Sequence, residues 1–127
     1  MKIAFPSMGK GLKAQLSSRF GRCPYFVIID TNDMQVENLQ NTGVNALNGA
    51  GIQAAQILVN KNVNAIISGK IGPKAFQVLK VAGIKFFMGK TGKISDLLEL
   101  YKRGELKEIE VTTELGRRME RRGYRRM

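Results

Sequence analysis

The chain has 127 residues, a length that predicts one domain, since single domains usually have about 100–200 residues. Hydrophobic residues make up 43% and charged residues 24%, which is typical of a globular chain and excludes disorder throughout. With 21 Lys and Arg against 10 Asp and Glu, the net charge is +11, and a protein of that charge should attract anions.

Three absences narrow the chemistry further. The chain has no His and one Cys, so it cannot by itself build a zinc site, a four-thiolate iron–sulfur site or an intrachain disulfide. The lack of His also excludes Ser-His-Asp and Cys-His catalytic pairs. Finally, the apolar runs are far shorter than the roughly 18 residues that cross a bilayer, and no signal peptide is evident. We therefore expect a cytoplasmic protein that does not bind membranes.

The first part of the chain predicts a strand followed by a hairpin. Residues 3–5 form an apolar run that Pro6 should end. Residues 25–29 are aromatic and β-branched, which is typical of a strand. Beyond a polar turn, Met34 and Val36 alternate with polar residues, and this pattern favours an antiparallel edge strand with one exposed face.

Helices and strands alternate in the second part of the chain. Apolar residues at helical spacing predict three helices, which begin near Ile52, Pro73 and Ile94. Pro suits the first position of a helix, because the N–H that it lacks would be unpaired there. Short apolar runs at residues 65–67 and 84–88 predict the intervening strands. Such alternation implies right-handed crossovers and parallel strand pairing.

These elements predict one α/β domain over residues 1–112. We expect a five-stranded mixed sheet with three flanking helices. Residues 113–127 are strongly basic and are predicted to form a disordered tail.

Glycine and lysine recur after three of the predicted strands. In an open α/β sheet, ligands bind outside the carboxyl ends of the strands. Glycine lets backbone N–H groups approach an anion, and the N-terminus of a following helix favours negative charge. The three loops therefore predict an anion site, with ordinary turns and solvated Lys as the alternative. The candidate residues of these loops are Ser7, Lys10, Gly69, Lys70, Gly72, Lys74 and Lys90.

Two glycine-rich segments only partly match nucleotide-binding motifs. A P-loop that ended at residues 89–91 would need an earlier Gly at a position that Ile84 occupies. Residues 49–54 fit a relaxed dinucleotide fingerprint, but they follow a polar loop instead of the first strand. The acidic residue expected about 20 positions later is also missing. We therefore predict that the protein binds no nucleotide.

Several short motifs follow one another in a fixed order: Phe20-Gly21, Tyr25-Phe26, Gly49-Ala50-Gly51-Ile52, and Gly72-Pro73 with Ala75-Phe76. In this combination, residues 1–110 resemble the dinitrogenase iron–molybdenum cofactor biosynthesis family. The resemblance implies a ribonuclease H-like fold and a protein that is not an enzyme. It also implies that the iron–molybdenum cofactor, or its iron–sulfur precursor, is bound as cargo and passed between donor and acceptor proteins.

The same resemblance assigns ligand roles to the loop of residues 69–73 and to Arg19, Phe20, Gly21, Arg22, Cys23, Gly49 and Gly51. Nitrogenase-associated members often have His directly before Phe-Gly, where this chain has Arg19, and an arginine does not ligate metals. Cys23 is then the candidate metal ligand, since Arg19 and Arg22 nearby would lower its pKa and favour the thiolate. The alternative is a structural thiol.

Two rival functions follow from the implied fold and from the tail. Nucleases of this fold hold two metal ions with clustered carboxylates. No Asp or Glu lies between Glu37 and Asp96, so an active nuclease is excluded. The Arg pairs from Arg117 to Arg126 would form a basic stripe if helical, able to contact phosphates of a nucleic acid. The alternative function is therefore an anion- or nucleic-acid-binding accessory protein with no metal role.

Overall fold

The computed structural model describes residues 1–44 and 49–109. The predicted tail and its Arg pairs lie outside the described residues. In chain order the elements are β1 (Lys2–Ser7), a 3₁₀ helix (Phe20–Arg22), β2 (Tyr25–Asp30), β3 (Gln35–Gln40), α1 (Ala50–Asn60), β4 (Ala65–Ser68), α2 (Pro73–Val81), β5 (Lys85–Met88), α3 (Ile94–Lys102) and β6 (Lys107–Ile109).

The strands form one mixed sheet in the order β3-β2-β1-β4-β5-β6. β1, β2 and β3 pair antiparallel, β4 and β5 continue the sheet parallel to β1, and β6 pairs antiparallel with β5. The predicted antiparallel hairpin with an edge strand is confirmed by β2 and β3. The expectation of one exposed face is wrong, since five of the six residues of β3 are exposed.

Alternate residues of the buried strands contact two separate helical layers. Ala4, Ile66 and Phe86 face one side of the sheet, where they pack with α1 and α2. Ile3 and Ile67 face the other side, where they pack with α3. The result is a single α/β domain in three layers, with the sheet in the middle and apolar on both faces.

Two further strand predictions are wrong. The sheet has six strands, because β6 adds a three-residue edge strand beside β5. Pro6 does not end β1, which continues to Ser7. The parallel pairing with β4 involves Ile3 and Ala4. Pro6 therefore lies beyond that ladder, where a missing N–H costs no sheet hydrogen bond.

The described part of the chain contains no helix that combines the length and the apolarity needed to cross a membrane.

The 3₁₀ helix lies so close to α1 that Gly21 has no room for a side chain. A Cβ atom added there would lie 2.6 Å from the Gly51 nitrogen and 2.9 Å from the Ala50 carbonyl carbon. Gly51 in turn lies close to α2, since an added Cβ would be 3.3 Å from the Cβ of Ala75. This succession of small residues brings the 3₁₀ helix and the N-termini of α1 and α2 together at one place.

We expect Gly21→Ala to lower the free energy of unfolding by about 1–3 kcal/mol, because overpacked backbone must move apart. Urea denaturation measures the change. Gly72→Ala is the matched control, since a Cβ at Gly72 meets no atom within 4 Å and the backbone there is extended, with φ −76°. Equal losses in the two variants would show that the close approach at Gly21 is not a constraint.

Candidate anion-binding groove

A groove of about 1110 Å³ opens where the 3₁₀ helix meets the N-termini of α1 and α2. Residues 19–22, 49–52 and 70–75 form its walls, and Phe86, Met88 and Ile109 complete its apolar floor. Residues 70–75 follow the carboxyl end of β4, and residues 19–22 belong to the connection that follows β1. In open α/β sheets, ligands bind outside the carboxyl ends of the strands.

Four basic side chains line the groove: Arg19, Arg22, Lys70 and Lys74. Among the residues described, no Asp or Glu lines it. Backbone hydrogen bonds connect the segments that carry Arg19 and Lys70. Phe20 N donates to Lys70 O and Lys70 N donates to Ser18 O, each at 3.3 Å. Arg19 and Lys70 are therefore neighbours across a short parallel bridge, and the groove has a positive field.

The N-termini of α1 and α2 add backbone donors to this field. Neither helix has a side-chain cap. The first intrahelical bonds are donated by Gln53 N to Gly49 O at 2.9 Å and by Phe76 N to Gly72 O at 3.0 Å. The N–H groups that precede them have no partner within their helices. Both positive helix ends therefore lie beside the groove, where they favour an anion.

The third predicted loop belongs to a different environment. The N-terminus of α3 is covered by residues 8–16, since Ile94 N donates to Ala14 O at 3.0 Å and Ser95 N donates to Leu12 O at 2.9 Å. These N–H groups are already satisfied by the chain itself. Of the three glycine- and lysine-containing loops, only the one after β4 lines the groove, through residues 70–74. The loop after β1 contacts residues 92–95 instead, so the expected convergence of the three loops at one site does not occur.

Nine of the predicted site residues line the groove: Arg19, Phe20, Gly21, Arg22, Gly49, Gly51, Lys70, Gly72 and Lys74.

The other predicted residues lie elsewhere. Ser7 is buried, and its hydroxyl donates to Gly9 O at 2.6 Å. Lys10 lies with its Nζ 5.6 Å from the centre of the Tyr25 ring. Lys90 is exposed in the loop before α3. Gly69 does not line the groove. It lies close to the backbone that precedes Arg19, since an added Cβ would lie 3.2 Å from the carbonyl oxygen of Ser18.

Cys23 is fully buried and does not line the groove. Its thiol donates to Phe20 O at 3.3 Å. Burial raises the pKa of this thiol from 9.0 to about 12, and hydrogen bonds from neighbouring groups offset only part of that rise. The expectation that Arg19 and Arg22 lower this pKa is therefore wrong, because desolvation of the thiolate dominates. The geometry matches the structural alternative.

Native Cys23 should not react with a thiol-specific disulfide reagent at about pH 8, because the reactive species is the thiolate. We expect full labelling once the chain is unfolded in guanidinium. Colorimetric release of the reagent's leaving group measures both rates. Stoichiometric labelling of the folded protein at the unfolded rate would contradict the buried, protonated thiol.

The same pKa shift predicts how stability changes with pH. Between 9.0 and about 12 the unfolded thiol is ionised while the folded thiol keeps its proton. The unfolded state therefore binds fewer protons, and the free energy of unfolding falls as pH rises through this window. Cys23→Ala should lack this component, so the wild type should lose stability faster than the variant in denaturation experiments above pH 9.0. Parallel curves would contradict the shift.

Sequence reasoning missed the floor of the groove and two buried polar side chains. Phe86 and Met88 lie on one face of β5, and their spacing was a signal for that shared face. Asn41 is 1% exposed and its side chain is hydrogen-bonded to the 3₁₀ segment. Ser68 is fully buried, and its Oγ has no hydrogen-bond partner in the described residues. Ser68 pairs in register with Met88, so this unpaired hydroxyl lies on the groove side of β4.

Within residues 1–44 and 49–109, no three His, Cys, Asp or Glu side chains come together as a set that could hold a metal ion.

Comparison with known proteins finds similarity in both sequence and fold. The sequence profile of a family described as dinitrogenase iron-molybdenum cofactor matches residues 1–104. The protein MJ0580 of Methanocaldococcus jannaschii, which has no assigned function, is 36% identical over 113 residues. That alignment covers 87% of this chain and 92% of that protein.

Two solved structures resemble this fold closely. The apo form of the orange protein from Desulfovibrio gigas has a TM-score of 0.85 and 32% identity, covering 88% of this chain and 95% of that one. A NifB-like protein from Thermotoga has a TM-score of 0.78 and 36% identity, covering 88% of this chain and 96% of that one.

Proposed function

The chain belongs to the dinitrogenase iron-molybdenum cofactor family, and we propose that its groove binds an anionic metal cluster and carries it between proteins without catalysing a reaction. The cargo is the iron–molybdenum cofactor or an iron–sulfur precursor of it. Donor and acceptor proteins of that cofactor are the partners. The orange protein structure is an apo form, which supports a ligand-binding role for this fold.

The observation that carries the proposal is the concentration of positive charge around the groove. Four basic side chains and two uncapped helix N-termini lie around a groove that no described acidic residue lines. Positive groups in such a concave site raise the local concentration of an anion and stabilise it once bound. An isolated helix end contributes about 0.3–1 kcal/mol, so the side chains and both helices must act together.

The apolar floor favours a large anion over a small hydrated one. The side chains of Phe86, Met88 and Ile109 offer no donors that could replace the water around a small oxyanion. A sulfide-rich cluster spreads its charge over many weakly hydrated atoms and tolerates apolar contact. In this proposal, the floor packs against the cluster while the basic rim neutralises it.

The cargo is held by charge and hydrogen bonds in this proposal. Arg19 stands where related proteins often have His, and its guanidinium donates hydrogen bonds without coordinating metal. The buried Cys23 thiol is committed to Phe20 O. The cluster therefore keeps its own ligands or receives them from a partner protein.

We also propose that the fold is ribonuclease H-like. The antiparallel run β3-β2-β1 followed by parallel β4 and β5 supports it. Nucleic-acid binding through Arg117 to Arg126 is the less favoured function, because the family points to cofactor cargo.

Anaerobic incubation with a thiolate-capped tetranuclear iron–sulfur cluster, a synthetic dianion, tests the proposal. After gel filtration, visible absorption and iron analysis should show a stoichiometric complex. Removing residues 113–127 should leave the iron content unchanged. A protein that emerges without iron would contradict the carrier function. Loss of binding with the tail would favour the rival accessory role.

We expect Lys70→Glu/Lys74→Glu to bind this cluster at least about tenfold more weakly, because each reversal changes the interaction with a nearby dianion by on the order of 1 kcal/mol. The loss should shrink as salt rises, since the Debye length is about 8 Å at physiological ionic strength. Titration followed by visible absorption measures the dissociation constant at each salt concentration.

Lys85→Glu/Lys102→Glu is the matched control. It makes the same change in net charge at two exposed lysines that do not line the groove. We expect a much smaller change in affinity. If both double variants weaken binding equally, diffuse charge and not the groove holds the cluster.

A further inference from the structure

We propose that Asn41 is a positioning residue that fixes the arginine-bearing wall of the groove, with the Cys23 thiol as its partner. Asn41 does not line the groove itself. It acts through hydrogen bonds to the backbone of the 3₁₀ segment, residues 20–23. The importance of this wall for cargo rests on the function proposed above, whereas its geometry can be tested without cargo.

The short 3₁₀ helix leaves carbonyl groups that need donors, and Asn41 supplies them. Its Nδ2 donates to Cys23 O at 2.8 Å and to Gly21 O at 3.2 Å. The side chain is almost fully buried, so water does not compete for these bonds. A buried carbonyl left without a donor destabilises the folded state. The amide therefore holds this backbone in place more strongly than an exposed hydrogen bond would.

Asn41 also joins the 3₁₀ segment to the chain that leads towards α1. Its Oδ1 accepts from Gly43 N at 3.1 Å, and its own N–H donates to Pro24 O at 2.9 Å. Nearby, Arg22 Nη1 donates to Val44 O at 2.9 Å. Residues 41–44 and the 3₁₀ helix are thus connected by both backbone and side-chain bonds.

The Cys23 thiol completes this set of donors. It donates to Phe20 O at 3.3 Å, and Asn41 Nδ2 lies 3.8 Å from its sulfur. Between them, the two side chains serve the carbonyls of Phe20, Gly21 and Cys23. This gives the buried thiol a role that needs its proton, which agrees with its raised pKa.

The position requires an uncharged side chain with both a donor and an acceptor. An Asp of the same shape would keep the bond from Gly43 N but would direct a carboxylate at two carbonyl oxygens. Gly21, whose carbonyl Asn41 binds, is pressed against the Gly51 backbone. Releasing that carbonyl would free the segment that presents Arg19 and Arg22.

The test compares Asn41→Asp and Asn41→Ala with Leu97→Ala. Leu97 is buried on the α3 side of the sheet, so its truncation destabilises the domain away from the groove. In the cargo-free protein, amide hydrogen exchange should accelerate at Phe20 and Arg22 in the Asn41 variants and not in Leu97→Ala, under conditions where all remain folded. Equal protection of these amides in the Asn41 and Leu97 variants would overturn the positioning role.

Binding of the thiolate-capped iron–sulfur cluster provides the second readout. We expect about tenfold weaker binding by the Asn41 variants than by Leu97→Ala, the factor that one lost buried hydrogen bond would give. A buried carboxyl between carbonyls has a raised pKa. Asn41→Asp should therefore regain affinity relative to Leu97→Ala between about pH 8 and pH 6, as the protonated acid restores one donor.

The two proposals fail separately. If the wild type binds no cluster, the carrier function is wrong and the exchange data alone decide the role of Asn41. If the wild type binds and the Asn41 variants bind like Leu97→Ala with unchanged exchange, the carrier function stands and the positioning role is wrong.

Discussion

The rest of the structure depends on the steric contact between Gly21 and the first residues of α1. Backbone meets backbone there, and a single added carbon would lie 2.6 Å from the Gly51 nitrogen. Because the 3₁₀ helix comes this close, Arg19 and Arg22 lie beside the N-termini of two helices that have no side-chain cap. The groove is therefore a product of packing between small residues, and its charge is arranged by that packing.

The three helices show how the same local sequence serves two purposes. α1, α2 and α3 all begin after glycine-containing segments without side-chain caps. The loop of residues 8–16 supplies carbonyls to the N-terminus of α3, so the hydrogen bonds at that end hold the loop and the helix together. Among the described residues that line the groove, none supplies carbonyls to the N-termini of α1 and α2 in this way. Whether a helix end can contribute to a ligand site therefore depends on whether another segment of the chain already binds its N–H groups.

Much of the fold was predictable because the central strands β1, β2 and β4 are largely buried and appear in the sequence as short apolar runs. The exposed edge strand β3 was found from its alternation of apolar and polar residues, and the three helices from their apolar spacing. Pro6 was misjudged, because a missing N–H breaks a strand only where a ladder needs it. β6 was missed because a three-residue edge strand has too few positions to establish an alternation. The wall residues of the groove followed from the motifs, but its floor and Asn41 depend on contacts between distant segments.

The location of the one described thiol has a kinetic consequence. In the described residues, the groove presents cations, N–H donors and apolar surface, and the only sulfur nucleophile is bonded to a backbone carbonyl beneath it. If the proposed cargo is held in this way, it would leave the groove with its own coordination shell intact, since no metal–protein bond would have to break. Its residence time is then set by ionic strength and by how quickly water re-enters the groove. In the proposed function, an acceptor protein whose thiolate displaces one of the cluster's own ligands would form a metal–protein bond that this site does not offer, and the displaced ligand would leave into solution; that exchange would favour transfer to the acceptor.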